Sequence, residues 1–495
     1  MNNLSKSKLL AYRQCPKRLW LEIHRRDLMD LAASSQSTML QGHEVGEIAR
    51  KIYDPEGRGH FLDLEKLGFR ALFKHSEALV EEADTPLFEA GFSANGALAL
   101  ADILLPVSEG KDRAWRMVEV KSSTSIKDYH RDDAAIQAYV ARSAGLPLQS
   151  IAVAHIDNTW IYRGNGDYRG LLVESDLTSE AFARGVEVES WIEGAQEIAA
   201  SMSEPPTSIG EQCNKPHACA FQSCCWRSMA TAEYPVSWLP NIKSKALKAC
   251  IAFDASDMRD VPDHLLNAQQ LRVKQCTVNQ EVFFDAEGAA NDLAAYCLPG
   301  YFLDFETSMF AIPIWAGTRP YQHIPFQFSL HILSEAGDLQ HQAFLDLSGN
   351  DPSRRFAEAL VAACGVEGPV FVYSAKFEKG RIKELTERFP DLSFRLHAIS
   401  DRMVDLLDIA IERYYHPSQQ GSWSIKKVLP AIAPDLDYGE LDGVQNGEMA
   451  MTAFKEAIDT DCLPERKAEI EVQLRRYCGL DTLAMVKIWE FFRGP

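Results

Sequence analysis

No stretch of this chain approaches the ~20 consecutive apolar residues that a helix needs to span a bilayer. No low-complexity tract interrupts it, which excludes fibrous and largely disordered classes. Positive charge is scarce: 51 Lys and Arg stand against 70 Asp and Glu, a formal charge of -19. A protein that coats nucleic acid through bulk charge is thereby disfavoured, because phosphate binding needs a basic surface. No P-loop or helicase motif occurs, so any unwinding falls to a separate helicase partner. The first twenty residues, MNNLSKSKLLAYRQCPKRLW, lack an apolar core of the length a secretory signal needs, and the expectation is a cytoplasmic protein.

What is present begins with length. At 495 residues the chain exceeds one compact core, and two or three domains are expected. The acidic sum hides a local reversal: Lys6, Lys8, Arg13, Lys17, Arg18, Arg25 and Arg26 fall within residues 1–26 against a single Glu. Eleven cysteines without an export signal do not suggest a disulfide framework. Cys250, Cys276, Cys297, Cys364, Cys462 and Cys478 are scattered and read as buried hydrophobes. The remainder are grouped. CNKPHACAFQSCCW (213–226) supplies Cys213, Cys219 and Cys225, with Cys224 as an alternative third thiol, and Cys15 lies in a similar polar, Pro-adjacent setting. A tetrahedral or cubane centre takes four thiolates. One reading is a local zinc knuckle built from residues 213, 219, 224 and 225. The other is a staple joining Cys15 to Cys213, Cys219 and Cys225, whose binding energy adds directly to folding.

Between the ends of that staple, LQGHEVGEIARKIY (40–53) predicts a helix with His43 near its start. GALALADILLPV (96–107) predicts a strand carrying Asp102. AWRMVEVKSST (114–124) predicts a second strand, whose Glu119 and Lys121 share a face at i and i+2. RDDAAIQAYVARSAG (131–145) predicts a helix bearing Gln137 and Tyr139. Carboxylates are hard oxygen ligands for Mg²⁺ or Mn²⁺. A lysine beside them can orient an attacking water and stabilise charge building on a phosphate. Asp102, then Glu119-Val120-Lys121, with His43 upstream and Gln137 downstream, resembles the PD-(D/E)XK nucleases of the RecB-like branch. LAD (100–102) stands where that family often has Pro-Asp. The flanking cysteines resemble the branch's iron–sulfur subgroup. The resemblance implies metal ligation by His43, Asp102 and Glu119, with Lys121 catalytic. It also implies a [4Fe–4S] cluster on Cys15, Cys213, Cys219 and Cys225, and a single DNA strand passing Glu119.

Residues 231–297 mix Pro, short helical stretches and charged turns, and are expected to form a helical connector. YFLDFETS (301–308) follows, with Asp304 and Glu306 on one face of a predicted strand. GPVFVYSAKFEKGRIKEL (368–385) predicts a strand entering a helix, with Glu378 at the junction. DRMVDLLDIAIERYY (401–415) predicts a helix carrying Asp405, and LRRYCGLDTLAMVKIWEFF (474–492) a last helix. On it Tyr477 and Asp481 lie four apart and share a face. D-x-E on a strand with Y-x3-D on a helix resembles the Tyr-bearing DEDD exonucleases of the RNase H-like fold. There four carboxylates hold two ions roughly 4 Å apart, and the tyrosine positions the attacking water. The third acid of that family is an Asp in an Asn-x3-Phe-Asp pattern. Here the matching residues are Ser374 and Glu378, with Asp405 or Asp408 as alternatives. LDFET, residues 312–333 and GSWSIKKVLP (421–430) also resemble an uncharacterised family found after RecB-like nucleases. Phe326, Phe328 and His331, alternating on a predicted strand, are expected in the core.

The expected architecture is therefore α/β. Residues 1–230 form a RecB-like restriction-endonuclease-like core with an iron–sulfur staple, 231–297 a helical connector, and 298–495 an RNase H-like DEDD exonuclease domain. The expected function is a metal-dependent DNA nuclease with two phosphodiesterase sites. The first site draws on His43, Asp102, Glu119, Lys121 and Gln137, the second on Asp304, Glu306, Glu378, Tyr477 and Asp481. Its substrate would be single-stranded or end-containing DNA in repair, recombination or defence. An RNA 3′–5′ exonuclease and a nucleic-acid-binding scaffold with an inactive second site are the alternatives.

Overall fold

The computed structural model describes residues 3–30, 36–109, 112–227, 232–253 and 256–494. Helices surround a seven-stranded, a five-stranded and a two-stranded sheet, a mixed α/β protein as expected. The chain divides into two compact units, residues 1–230 with 310–321, and residues 231–309 with 322–495. The expected boundary after residue 230 falls at 228–231, outside the described residues.

In the first unit, helices α1 (Lys6–Gln14), α2 (Pro16–His24), α3 (Gln36–Tyr53) and α4 (Leu64–Glu82) precede an antiparallel meander. Its strands are β1 (Leu87–Ala94), β2 (Ala97–Glu109) and β3 (Asp112–Lys121). Asn95 and Gly96 join β1 to β2 at φ 50° and 81°, the positive-φ pair that a two-residue hairpin turn demands. Helix α5 (Asp128–Ser143) then crosses over to β4 (Leu148–Ile156), which lies parallel to β3. Strand β5 (Leu172–Asp176) closes that edge antiparallel. The small side chains Ala134, Ala135, Ala138 and Ala141 of α5 are all buried in the core. A helix covered on so many sides must satisfy its polar residues internally, and His130, Asp133 and Gln137 are its buried polar side chains.

In the second unit, β6 (Gly300–Ser308) is central, flanked by antiparallel β7 (Ile324–Leu333) and parallel β9 (Val370–Val372). Strand β8 (Leu339–Leu345) pairs outside β7, and β10 (Met403–Asp405) outside β9. The resulting order is β8-β7-β6-β9-β10. Helix α6 (Ser353–Ala363) covers one face, where Leu303, Phe305 and Phe328 meet Phe356 and Leu360. The other face carries Phe302 against Trp489 and Phe492 of the last helix, α10 (Pro464–Arg493). The helical residues after 231 belong to this core as well, burying Leu239, Leu247, Val273 and Leu293 beside Phe302. Phe326, Phe328 and His331 are buried as expected.

Two expected elements differ. The helix expected over 401–415 is strand β10 followed by a shorter helix, Leu406–Arg413, because Asp405 caps that helix by accepting from Leu407 N. The cysteines expected to be buried do not all comply: Cys297 is exposed, and Cys250 and Cys462 are half-buried.

Candidate metal centres

Strand period places the acids of the second unit. Residues 301, 303 and 305 of β6 face the α6 side, so 302, 304 and 306 face α10. Asp304 and Glu306 thus continue the row begun by Phe302. Helix α10 answers with a stripe at helical spacing: Leu474, Tyr477, Cys478, Asp481, Thr482 and Met485 are all buried. The stripe is anchored by hydrogen bonds between Thr482 Oγ1 and both Ser329 Oγ (2.7 Å) and His331 Nδ1 (2.8 Å) of β7. A cleft of about 540 Å³ results, lined by Asp304, Glu306, Glu378, Tyr477 and Asp481 together with Lys426.

Glu378 reaches the cleft from the first turn of α9 (Ala375–Arg388). The alternatives do not. Asp405 is consumed as a structural acceptor, taking hydrogen bonds from Ser374 N (2.9 Å) and Ala375 N (2.7 Å) as well as from Leu407 N. Asp408 lines a different pocket, with Glu412. One Glu378 oxygen, Oε2, is buried without a hydrogen-bond partner among the described residues.

Burial raises the four acids Asp304, Glu306, Glu378 and Asp481. Asp304 is pushed well above the usual carboxylate range by burial and then by the charges of Asp481, Glu306 and Glu378. Burial pushes Glu306 and Glu378 each up to about 8. Asp481 rises to about 6 by burial, opposed by a 2.6 Å hydrogen bond from Tyr438 Oη and by Lys426. Buried carboxylates without enough cations are the donor set a divalent ion satisfies. Lys426 Nζ, 3.3 Å from Tyr477 Oη, is the cation on the cleft wall.

A stability consequence follows with a definite sign. Because Glu306 and Glu378 have raised folded-state pKa values, the folded protein binds more protons than the unfolded chain between about pH 4.5 and pH 8. Stability of the metal-free second unit is expected to fall as pH rises through that window. Mn²⁺ should restore it, with a larger gain in melting temperature at pH 8 than at pH 5. Calorimetry in chelator and in Mn²⁺ checks this, and a pH-independent Mn²⁺ gain would refute it.

Ser374 caps α9 in a left-handed conformation, φ 85° and ψ 59°. A β-branched residue fits that region poorly, while glycine occupies it freely. Ser374→Val should cost about 1–2 kcal/mol and Ser374→Gly should be neutral or stabilising, measured as shifts in denaturation midpoint.

In the first unit the meander aligns acids across three strands. Pairing of Ile103 with Val118 and of Phe88 with Ile103 sets Glu89, Asp102 and Glu119 at one level. Glu89 interrupts its ladder at φ 61°. Asp102 Oδ2 accepts from Val120 N at 2.7 Å. Lys121 Nζ sits 2.5 Å from both Glu119 Oε1 and Asp133 Oδ2, confirming the shared face of Glu119 and Lys121. Gln137 Nε2 donates to Glu119 Oε2 at 2.5 Å. A second cation arrives from α1: Lys6 Nζ lies 2.8 Å from Glu119 Oε1 and 3.2 Å from Asp133 Oδ1. Burial lifts Asp102 well above the usual range, with Glu119 adding to it. Burial would lower Lys6 and Lys121, but Asp133 and Glu119 outweigh it and raise both.

His43 lies within electrostatic reach of Glu89. It is exposed on α3, and among the described residues no trio of His, Cys, Asp and Glu donors within 4.8 Å of one another includes His43, Asp102 or Glu119. The acids engage lysines instead. The basic run at the N-terminus is similarly committed: Lys6, Lys8, Arg13, Lys17, Arg18 and Arg25 are each ion-paired. A groove of about 1110 Å³ nevertheless joins Lys121 to Arg13, Arg18, Lys127, Tyr129 and Lys215.

Cys15, Cys213, Cys219 and Cys225 line one small cavity, and Cys224 is not among its lining residues. Cys15 stands between α1 and α2, where its extended backbone caps α2. Gln14 Nε2 binds this segment to the cysteine loop through Gln212 O (2.7 Å) and His217 O (2.8 Å). Burial raises the Cys219 thiol, with Cys15 and Cys213 contributing.

Glu89, Lys6 and Asp133 at the first site, and Lys426, Tyr438 and Cys478 at the second, escaped the sequence reading. Cys478 alone had a local signal, since it follows Leu474 by four residues on the buried stripe. Comparison with known proteins adds one match: the family described as "Domain of unknown function (DUF2779)" matches residues 301–424. No curated protein matches the chain. No helix among the described residues is long and apolar enough to cross a membrane.

Proposed function

We propose that the chain is a metal-dependent nuclease with two phosphodiesterase sites, acting on single-stranded or end-containing DNA. The observation that carries this reading is the cleft of the second unit. Asp304, Glu306, Glu378 and Asp481 converge there from three elements, with Tyr477 beside them. Strand order supports it: numbered from β6 within its sheet, the order is 3-2-1-4-5 with the second strand reversed. That is the arrangement called for by the resemblance to DEDD exonucleases. The first unit supports a PD-(D/E)XK core by the sequence helix, antiparallel meander, crossover helix, parallel strand. The four thiols around one cavity support the [4Fe–4S] reading; among the described residues no three of their sulfurs lie within 4.8 Å of one another.

At the second site Asp304, Glu306, Glu378 and Asp481 would hold Mg²⁺ or Mn²⁺. Such ions supply charge neutralisation on the phosphate and a more acidic bound water. Tyr477 Oη is placed to orient a water, and Lys426 to meet charge developing on the phosphate. Tyr438 fixes the Asp481 carboxylate through its hydrogen bond. At the first site Asp102 and Glu119, with Glu89 adjoining, form the acidic set. Lys121 is placed to act on water or phosphate, and Gln137 orients Glu119. Lys6 and Lys121 share Glu119 Oε1, so an ion held there would take the place of Lys6 on that oxygen.

The test offers end-labelled single-stranded DNA and RNA of matched sequence side by side with Mn²⁺. Metal-dependent shortening of DNA supports the reading, and preferential shortening of RNA moves the substrate to RNA. Binding without cleavage of either overturns the enzymatic assignment.

A further inference from the structure

Cys478 follows Tyr477 on α10 and is fully buried. Its Sγ lies 3.8 Å from Asp304 Oδ2 and 3.9 Å from Asp304 O. Among the described residues, Asp304, Glu306 and Cys478 form a group whose ligand atoms all lie within 4.8 Å of one another. The same cleft is lined by Glu378, buried and with one oxygen lacking any hydrogen-bond partner among the described residues. A sulfur so placed is poorly explained by packing alone. A buried methyl or methylene would fill the stripe without setting a thiol against carboxylate oxygens.

We propose that Cys478 Sγ is a metal ligand of the second site, shared with Asp304 and Glu306, and that the site takes Mn²⁺, Zn²⁺ and Cd²⁺ in preference to Mg²⁺. The inference rests on the metal-site reading of the cleft. Soft sulfur donors favour later and heavier divalent ions, while Mg²⁺ prefers a shell of oxygens. Ligation replaces the S–H bond by a sulfur–metal bond, and the thiol proton leaves to solvent. No electron changes hands. The fourth acid, Asp481, and the spare oxygen of Glu378 remain for a second ion.

The test uses the full-length protein stripped of divalent ions and titrated anaerobically with Cd²⁺, following the sulfur-to-cadmium charge-transfer band as a difference spectrum. Parallel titrations with Mn²⁺ follow loss of the free-ion paramagnetic resonance signal. Beyond whatever band the Cys15, Cys213, Cys219 and Cys225 cavity contributes, wild type is expected to give a sulfur-to-cadmium component worth one thiolate that is lost in both Asp304→Asn and Cys478→Ser. The preference for Cd²⁺ over Mg²⁺ should fall by about tenfold or more in Cys478→Ser. If that variant does not fold, Cys478→Ala takes its place. The Asp304→Asn arm also decides independently, because Cys478 is the thiol in contact with Asp304. A band unchanged by Asp304→Asn, or absent altogether, while Mn²⁺ still binds in an Asp304-dependent manner, removes the sulfur ligand and leaves the metal site. Mn²⁺ binding indifferent to Asp304→Asn removes both.

Discussion

Asp304→Asn is expected to reduce removal of 3′-terminal nucleotides by about 10²-fold or more, while Glu119→Gln leaves that activity intact and abolishes cleavage at the first site. The asparagine keeps the shape of Asp304 but supplies no charge, and it sits where three other acids already repel one another. Metal affinity therefore falls with little disturbance of packing. The same repulsion gives a control for misfolding. Removing one buried acid from the cluster relieves the metal-free protein, so Asp304→Asn should melt no lower than wild type in chelator. An inactive variant with undiminished metal-free stability locates the loss in the site itself. End-labelled substrates resolved nucleotide by nucleotide separate the two activities. Wild-type rates in both variants, in a preparation free of contaminating nuclease, would sink the two-site reading.

Glu378 sharpens that prediction. Where the resembling family places aspartate, this chain has a side chain longer by one methylene, and the structure shows how it still reaches the cleft. It stands in the first turn of α9, after a left-handed Ser374 held by Asp405. The turn sets the start of the helix, and the longer side chain spans the remaining gap. Asp405 serves that turn and does not line the cleft.

How much was legible in the sequence follows from the range of each signal. Asp304 with Glu306, and Glu119 with Lys121, were readable because a strand repeats every two residues. Tyr477 with Asp481 was readable because a helix brings i and i+4 together. Glu378 was readable only through the resemblance, since Asp405 and Asp408 carried equal charge. Lys6 and Asp133 escaped because their meeting joins residues 127 positions apart through tertiary structure. Glu89 escaped because its orientation depends on a left-handed residue inside a strand, which no period announces. His43 was readable only from its order along the chain, and its helix leaves it exposed. Asp405 looked like one more acid on a helix, although an aspartate just ahead of an apolar run is a capping signal.

Cys219→Ser is expected to bleach the protein and to destabilise the first unit by more than about 4 kcal/mol. Protein purified without oxygen should be brown, with broad visible absorbance, if a [4Fe–4S] cluster fills the cavity bounded by Cys15, Cys213, Cys219 and Cys225. Those thiols come from residues nearly two hundred apart, joined by Gln14, by local backbone bonds such as Cys219 N to Cys213 O, and by packing of Leu21 on Cys219 and Phe221. A centre bridging them therefore contributes to folding in a way that no one contact replaces. The adjacent pair supplies the discriminating comparison. Cys225 lines the cavity and Cys224 does not, so Cys225→Ser should be colourless and Cys224→Ser brown. Iron and sulfide analysis, with thermal melts of each variant, reads both effects. Colourless protein holding stoichiometric zinc would replace the cluster by a zinc centre. Colour surviving Cys225→Ser but lost in Cys224→Ser would assign the fourth ligand to the neighbouring thiol.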